Sequence, residues 1–247
     1  MNVEGRDRRG SLLFRIGAAW RNALRDILLI VTSILIAFML DAWWSNTQDR
    51  RNLRRHLSAL EYEFADVSRA LRRDRVNVTK ATTATRSILQ EMGSAKAQSF
   101  ADSLAALINT SYDVGVVASQ GGALSTILNS GDIRLVRDDS LAYLLAQWPV
   151  IVHALNSNNA ILTASREQEL RQRLIQLGVP ESAIASNIDE LQLPATRFPL
   201  NPNAVLLDPG IESMLVSRLI RLRILDNELQ AALDHARKIL DRLKQEP

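Results

Sequence analysis

The longest uninterrupted apolar stretch of this sequence lies between Ile27 and Leu40. Its fourteen residues include no charged residue and no proline. Continuing to Trp44 gives 18 positions, close to the roughly 20 that a helix rising about 1.5 Å per residue needs to cross about 30 Å of hydrocarbon. The pattern predicts a transmembrane anchor over residues 26–46, preceded by a short basic tail over residues 1–25.

The residues that flank the apolar run are of types that favour a membrane interface. Arginine attracts anionic lipid headgroups, and the amphipathic indole ring of tryptophan is best accommodated at headgroup level. Asp41 lies close enough to the end of the run to reach the interface. The predicted interface residues are Arg21, Arg25, Asp41, Trp43, Trp44, Arg50 and Arg51. No pattern of small residues typical of a cleavage site follows Leu40, so an uncleaved signal anchor is predicted.

Arginine counts on the two sides of the anchor predict its orientation. Six arginines precede the run, and four follow it between Arg50 and Arg55. Because flanks rich in Lys and Arg tend to stay in the cytoplasm, the N-terminus is predicted to be cytoplasmic and residues 47–247 extracytoplasmic. Arginine outnumbers lysine 26 to 4, a composition common in high-GC bacteria. The predicted location is therefore the bacterial inner membrane, with a periplasmic C-terminal domain.

Beyond the anchor, apolar residues recur at alternating steps of four and three, which is a heptad pattern. The members of this stripe are Leu53, Leu57, Leu60, Phe64, Val67 and Leu71. No glycine or proline occurs from Ala42 to Met92, so one helix is predicted to continue from the anchor and to stop near Gly93. The stripe can contact a partner chain, as in a coiled coil, or other helices of the same domain, which is the commoner use of so short a stripe.

The rest of the chain shows helical periodicity with short breaks. The predicted helices cover residues 96–111, 123–129, 140–177, 180–193 and 210–244. Gly131 and Gly178 are expected to follow helix ends, Ser140 to cap the long third helix, and Pro149 to kink it. Residues 194–210 include four prolines and predict an extended connection. The predicted fold class is all-α: an N-terminal transmembrane helix that continues into an antiparallel helical bundle.

Charge and composition exclude several classes of function. The net charge of +3 is local: residues 1–55 carry +5, from ten Arg and five acids, and the remainder carries −2, from 20 Lys+Arg and 22 Asp+Glu. The C-terminal part thus lacks the basic surface that nucleic acid requires, and membrane lipid is the expected partner of the basic flanks. Because the chain contains no cysteine, disulfides, thiolate nucleophiles, Fe–S clusters and Cys-based zinc sites are excluded.

No motif with recognisable chemistry occurs in the sequence. It contains no GxSxG, no SxxK and no Walker lysine, and its three histidines are far apart, so no enzyme activity, cofactor or metal is expected. A polar patch follows Pro149 inside a helical pattern, and polar groups at a core position can bind a small ligand or fix helix register. The candidate ligand patch is Trp148, His153 and Asn159.

Three places in the chain carry a resemblance to a family. They are Ile27 to Val31, which leads through Ala37 to Trp43 and on to Leu57, Leu60 and Glu63; Ser130-Gly131-Asp132, with Leu135 a turn later; and Leu141 followed by Trp148. In their order and spacing the chain resembles an uncharacterised bacterial family, a domain of unknown function whose members begin with a single membrane helix. The resemblance implies an architecture and a membrane location, but no activity.

Two hypotheses on function follow from the anchor, the stripe and the missing catalytic motifs. The first is a membrane-anchored helical interaction or scaffold protein that binds an envelope protein or a second copy of itself. The alternative is an extracytoplasmic sensory or ligand-binding bundle that acts through a partner.

Overall fold

The computed structural model describes residues 8–94, 100–114, 121–165, 169–179 and 201–245, and within them it contains only helices, turns and short connections. The all-α prediction is thus confirmed. The predicted helix over residues 180–193 lies outside the described ranges. The chain divides into two compact units, Met1–Arg55 and His56–Pro247.

The helices are numbered here in chain order. They are α1 (Arg8–Glu91), α2 (Ala101–Tyr112), α3 (Gly122–Ser130), α4 (Asp139–Ser165), α5 (Arg171–Gln176), α6 (Pro202–Leu206) and α7 (Pro209–Leu243), with a short 3₁₀ helix at Asp132–Leu135.

In the first unit the apolar run lies within α1. The large apolar side chains between Ile27 and Leu40 are 47–73% exposed, so no described part of the protein covers them. Among the described residues, this is the one helix long and apolar enough to cross a membrane. Aliphatic side chains exposed around a whole helix are costly in water and favourable in hydrocarbon.

The second unit contains three long helices, and polar contacts fix the direction of two of them. Arg242 near the end of α7 pairs with Asp138 at the start of α4 (3.3 Å). Nearer the middle, the Nε2 atom of His235 lies 2.9 Å from the carbonyl oxygen of Leu144. Residue numbers thus rise along α4 as they fall along α7, so these two helices are antiparallel.

Two contacts fix the direction of α1 in the same unit. The ring of Trp148 in α4 lies edge-on to Phe64 and stacks on His235, which places residues 64 and 235 at one level. Eleven residues further along α1, Arg75 donates to Asp226 of α7 (2.9 Å). Helix α1 is therefore antiparallel to α7 and parallel to α4. When three helices pack side by side in two directions, one of the three pairs must be parallel, so this arrangement agrees with an antiparallel helical bundle.

A core of shorter helices closes one end of this bundle. Helices α2, α5 and α6 pack there on the end of α1 and the start of α7, and Gly93 N–H donates to the carbonyl of Leu206 (2.9 Å). The buried members of this core are Ile88, Leu104, Ile108, Tyr112, Leu170, Leu174, Val179, Val205, Leu206, Ile211 and Leu215.

The predicted helix ends agree with the structure where a residue must adopt positive φ. Gly93, Gly131 and Gly178 have φ of 74°, 78° and 77°, the left-handed conformation in which glycine carries no steric penalty. The predicted start of the last helix is also confirmed: the side chain of Asp208 accepts the Ile211 N–H (2.9 Å), and Pro209 follows.

Two local predictions are corrected. Asp138, rather than Ser140, caps α4, since its carboxylate accepts the Ser140 N–H (2.8 Å). The segment predicted as extended contains α6, because Asn201 caps it and Pro202 occupies the first turn, where a missing N–H costs nothing. The helix predicted over residues 140–177 is described as α4 as far as Ser165 and as α5 at Arg171–Gln176, and residues 166–168 lie outside the described ranges.

Candidate functional site

The heptad stripe of α1 lies mostly inside the protein. Leu60, Phe64 and Leu71 are 0–2% exposed, while Leu57 and Val67 are half-buried. Phe64 contacts the ring of Trp148 at 5.2 Å between centroids. This part of the stripe therefore forms the domain's own core, and its use as a surface for a partner chain is corrected. Leu53, in the first unit, is also buried.

The three residues of the candidate ligand patch lie in different environments. Trp148 is 1% exposed, His153 is exposed, and Asn159 is half-buried. The aromatic neighbours of Trp148 are Phe64 and His235, at 5.2 and 6.1 Å between centroids, which places it in the core of the three helices. The structure does not bring the three residues together, and a ligand site there stays a prediction.

The predicted interface residues all lie on α1. Asp41, Trp43, Trp44, Arg50 and Arg51 are exposed, with each indole 64% exposed. Arg21 and Arg25 belong to the same helix, but their side chains are outside the described part of the structure. Exposure leaves the described residues available to lipid without testing that contact.

A groove of about 620 Å³ lies between α1 and α7 in the second unit, and we call it the α1–α7 groove. Its lining includes Thr79, Thr83 and Arg86 from α1, and Leu219, Ile220, Arg223 and Ile224 from α7. The helical periodicity of residues 210–244 predicts a helix but does not indicate which side a neighbouring helix covers, so this surface was not predicted.

Helix α7 carries a second apolar stripe beside its buried one. Val216, Ile220 and Ile224 follow at steps of four and are 43%, 59% and 47% exposed, whereas Leu215 and Leu222 on the other side are buried. Exposed apolar side chains that form a contiguous stripe mark interaction sites more often than single exposed ones do. The spacing of four was visible in the sequence and is the signal that could have located this surface.

Two of the three threonines on the opposite wall, Thr79 and Thr83, add little polarity to the groove. The hydroxyl of Thr79 donates to the carbonyl of Arg75 (2.9 Å), and the hydroxyl of Thr83 donates to the carbonyl of Thr79 (3.0 Å). Because each hydroxyl proton is used within α1, a partner need not supply an acceptor for it.

The charges at the groove are mainly positive. Arg86 and Arg223 line it and are exposed, and neither forms an ion pair within the described part of the chain. The carboxylate of Asp226, which also reaches the groove, is already bound by Arg75 (2.9 Å). Two guanidinium groups therefore remain beside an apolar surface, where they can donate hydrogen bonds to acidic groups of a partner.

A buried arginine on the opposite side of α7 from the α1–α7 groove joins three helices. Arg218 occupies an apolar position in the repeat of α7 and is 4% exposed. Its Nε–H donates to the carbonyl of Ser111 (2.8 Å), and its guanidinium lies 3.8 Å from the ring centroid of Tyr112. The hydroxyl of Ser111 is 2.7 Å from that of Thr85 on α1. These contacts fix the position of α2, and they explain why a residue type that is usually exposed is buried here.

No family model matches this chain, and comparisons with curated proteins and with solved structures return no match. The family resemblance therefore stays a prediction. Among the described residues, no group of three or more His, Asp or Glu side chains is placed to hold a metal ion.

Proposed function

We propose that this chain is a single-span membrane protein whose helical domain binds a helical segment of another protein in the α1–α7 groove, as a scaffold or adaptor. The observation that carries the proposal is the exposed stripe of Val216, Ile220 and Ile224 beside that groove. Amphipathic helices bind such grooves through apolar side chains one turn apart.

The charges of the groove define the chemistry of the partner. A helix with apolar residues one turn apart and acidic residues on its flanks would pair with Arg86 and Arg223. Bidentate contacts from guanidinium to carboxylate give both attraction and register. A basic helix would be repelled, so the groove selects by charge as well as by shape.

The proposed location is the bacterial inner membrane, with the domain in the periplasm. The exposed apolar run of α1 and the excess of arginine before it support this orientation. Reporters fused after Pro247 test it: we expect activity from a reporter that works only in the periplasm. Activity from a cytoplasmic reporter alone would place the domain on the other side and overturn the orientation.

Photo-crosslinking tests the groove itself. A photoreactive residue replaces Ile220 in the full-length protein in native membranes, and the same residue replaces Ile161 of α4, which is 49% exposed and outside the groove, as the matched control. We expect a specific adduct from position 220 only. The double substitution Arg86→Glu and Arg223→Glu should abolish this adduct, whereas Arg221→Glu, which does not line the groove, should leave it.

The sequence of the crosslinked peptide decides between partners. An adduct on a helical segment with acidic flanks supports the proposal. An adduct with the mass of two copies of this chain would show that a second copy binds in the groove, and it would overturn the proposal of a different partner protein. If the double substitution Arg86→Glu and Arg223→Glu leaves the yield of the adduct unchanged, the proposed recognition by these two arginines is wrong.

A further inference from the structure

A second groove, in the first unit, follows directly on the apolar run of α1. It measures about 210 Å³, and its lining includes Trp44, Gln48, Arg51, Asn52 and Arg55. Trp44, Gln48, Arg51 and Arg55 are separated by steps of four, three and four, which keep them on one face of a helix. The buried Leu53 lies on the opposite face of the same helix.

The described side chains that line this groove supply hydrogen-bond donors and include no acidic group. Arg51 and Arg55 contribute two guanidinium groups, and Gln48 and Asn52 contribute amide groups. None of the described lining residues is acidic, and neither arginine forms an ion pair with another described residue. A guanidinium group is permanently charged and matches the geometry of a phosphate bidentately.

The position of the arginines along α1 fits the headgroup layer of a membrane. Arg51 and Arg55 follow Trp44 by seven and eleven residues, about 10 and 16 Å along the helix, so their backbone lies just beyond a headgroup layer that is roughly 5–7 Å deep on each side. Side chains of a helix lean toward its N-terminus, which brings the guanidinium groups back toward the apolar run. Trp44, whose indole is 64% exposed, favours the same layer.

The size of the groove determines which occupant it fits. Its volume of about 210 Å³ corresponds to about seven water molecules, which suits a single headgroup. We propose that Arg51 and Arg55, one turn apart, bind the phosphate of an anionic phospholipid in the leaflet on the side of the C-terminal domain, and that Trp44 lies at the apolar edge of this site. The inference rests on the proposed membrane span.

Native mass spectrometry of the full-length protein in mild detergent tests this site. The protein is titrated with phosphatidylglycerol or phosphatidylcholine, and the lipid-bound fraction is measured for wild type, Arg51→Gln/Arg55→Gln and Arg50→Gln/Arg54→Gln. The control pair has the same change in charge, includes the predicted interface residue Arg50, and lies about 100° round the helix from the groove. It therefore measures general attraction to the headgroup layer and not binding in the groove. All four arginines are exposed, so the substitutions should leave the fold intact.

We expect Arg51→Gln/Arg55→Gln to weaken retention of phosphatidylglycerol by about fivefold for each arginine, the order of attraction between one basic residue and an anionic membrane surface. The control pair, Arg50→Gln/Arg54→Gln, should weaken retention of phosphatidylglycerol less than half as much as Arg51→Gln/Arg55→Gln does. Retention of phosphatidylcholine should be weak for all three proteins.

Three outcomes would overturn the site. Equal losses in both double variants would show an effect of net charge alone, and equal retention of the two lipids would show that headgroup charge is not recognised. Displacement of the lipid by soluble glycerol phosphate would assign the groove to a free phosphate. Alkaline carbonate extraction distinguishes failure of the proposed membrane span from failure of the lipid site. If carbonate releases the protein from membranes, both the span and the lipid site are wrong. If the protein is retained but binds the two lipids equally, only the lipid site is wrong.

Discussion

Glu63 lies against Gly121, so replacing this glycine by alanine is predicted to destabilise the protein when Glu63 is present and to stabilise it when Glu63 is absent. Glu63 lies on α1, yet its carboxylate accepts hydrogen bonds from the backbone N–H groups of Ala123 (2.8 Å) and Leu124 (3.4 Å) at the start of α3. Gly121 is the N-cap residue of α3 and supplies no side-chain hydrogen bond. A β-carbon at position 121 would lie 1.8 Å from Cδ of Glu63. Helix α1 therefore caps α3 through the space that this glycine leaves.

The substitution Gly121→Ala should lower the free energy of unfolding by roughly 2 kcal/mol. The backbone at position 121, with φ −72° and ψ 163°, suits alanine, so the loss comes from displacing the carboxylate. Hydrogen bonds to a charged group contribute about 1.5–3 kcal/mol, and an N-cap about 0.5–2 kcal/mol. These ranges describe the same contact and are not added.

The effect should reverse once the carboxylate is removed. In a Glu63→Ala background, the methyl group at position 121 has space, and replacing glycine restricts the unfolded chain, which should stabilise the protein by about 0.4–1 kcal/mol. Gly122→Ala is the matched control, because a β-carbon there meets nothing within 4 Å. That substitution should have the same small stabilising effect in both backgrounds.

Urea unfolding of the full-length chain in non-ionic detergent, followed by circular dichroism, measures these differences. The set comprises wild type, the single variants and the double variants. The coupling energy between positions 63 and 121 should be of the order of 2–3 kcal/mol, in the upper part of the range for residues in direct contact. If Gly121→Ala has the same cost with and without Glu63, the capping contact does not stabilise α3 and the reasoning is refuted.

Further predictions use the same unfolding assay. Replacing Arg218 by leucine should cost about 2–3 kcal/mol, because a buried carbonyl loses a charged donor, and lysine should not restore the loss, since it lacks the planar guanidinium. Trp148→Ala should cost about 3–5 kcal/mol by leaving a cavity in the three-helix core, and Trp148→Phe clearly less. A hydrogen bond from Arg173 is the main cause of the lowered pKa of Asp208. The stability that Asp208 contributes is therefore present above its unfolded-state pKa and lost as the pH falls through its folded-state pKa. Asp208→Asn should make the unfolding free energy less dependent on pH in this acid range. Burial raises the pKa of Asp74, so its ionised form costs stability at neutral pH, and Asp74→Asn should raise the unfolding midpoint there but not below the unfolded-state pKa.

Several elements of the fold were predictable because their causes are local. The apolar run from Ile27 to Leu40 and the unbroken helix beyond it follow from residue type alone. Gly93 and Gly131 end helices because few other residues adopt their positive φ. Asp208 and Pro209 start α7 through a cap and a ring that suit the first helical turn.

The candidate surfaces were less predictable. A heptad stripe shows that one face of α1 is apolar, and both a partner chain and the domain itself satisfy that pattern; the contact of Phe64 with Trp148 decided for the domain. Arg218 is buried although arginine is rarely buried, because α2 supplies a carbonyl and an aromatic ring. The groove beside Ile220 exists only because α1 and α7 lie side by side.

The sequence by itself determined which stretch suits a membrane and those helix ends that have a local cause, such as Gly93, Gly131 and Asp208, since hydrogen bonds and side-chain caps within a helix reach about four residues along the chain. The cap that Glu63 supplies to α3 comes from a distant helix and was not predictable in this way. Only the tertiary structure decided which apolar face each helix buries and which it leaves exposed. Arg75 and Asp226, for example, are 151 residues apart in sequence and form an ion pair. Periodicity marks the apolar positions of each helix, but it carries no information on the distant helix that covers them, and so the exposed stripe of α7 became a candidate binding surface only when its neighbours were in place.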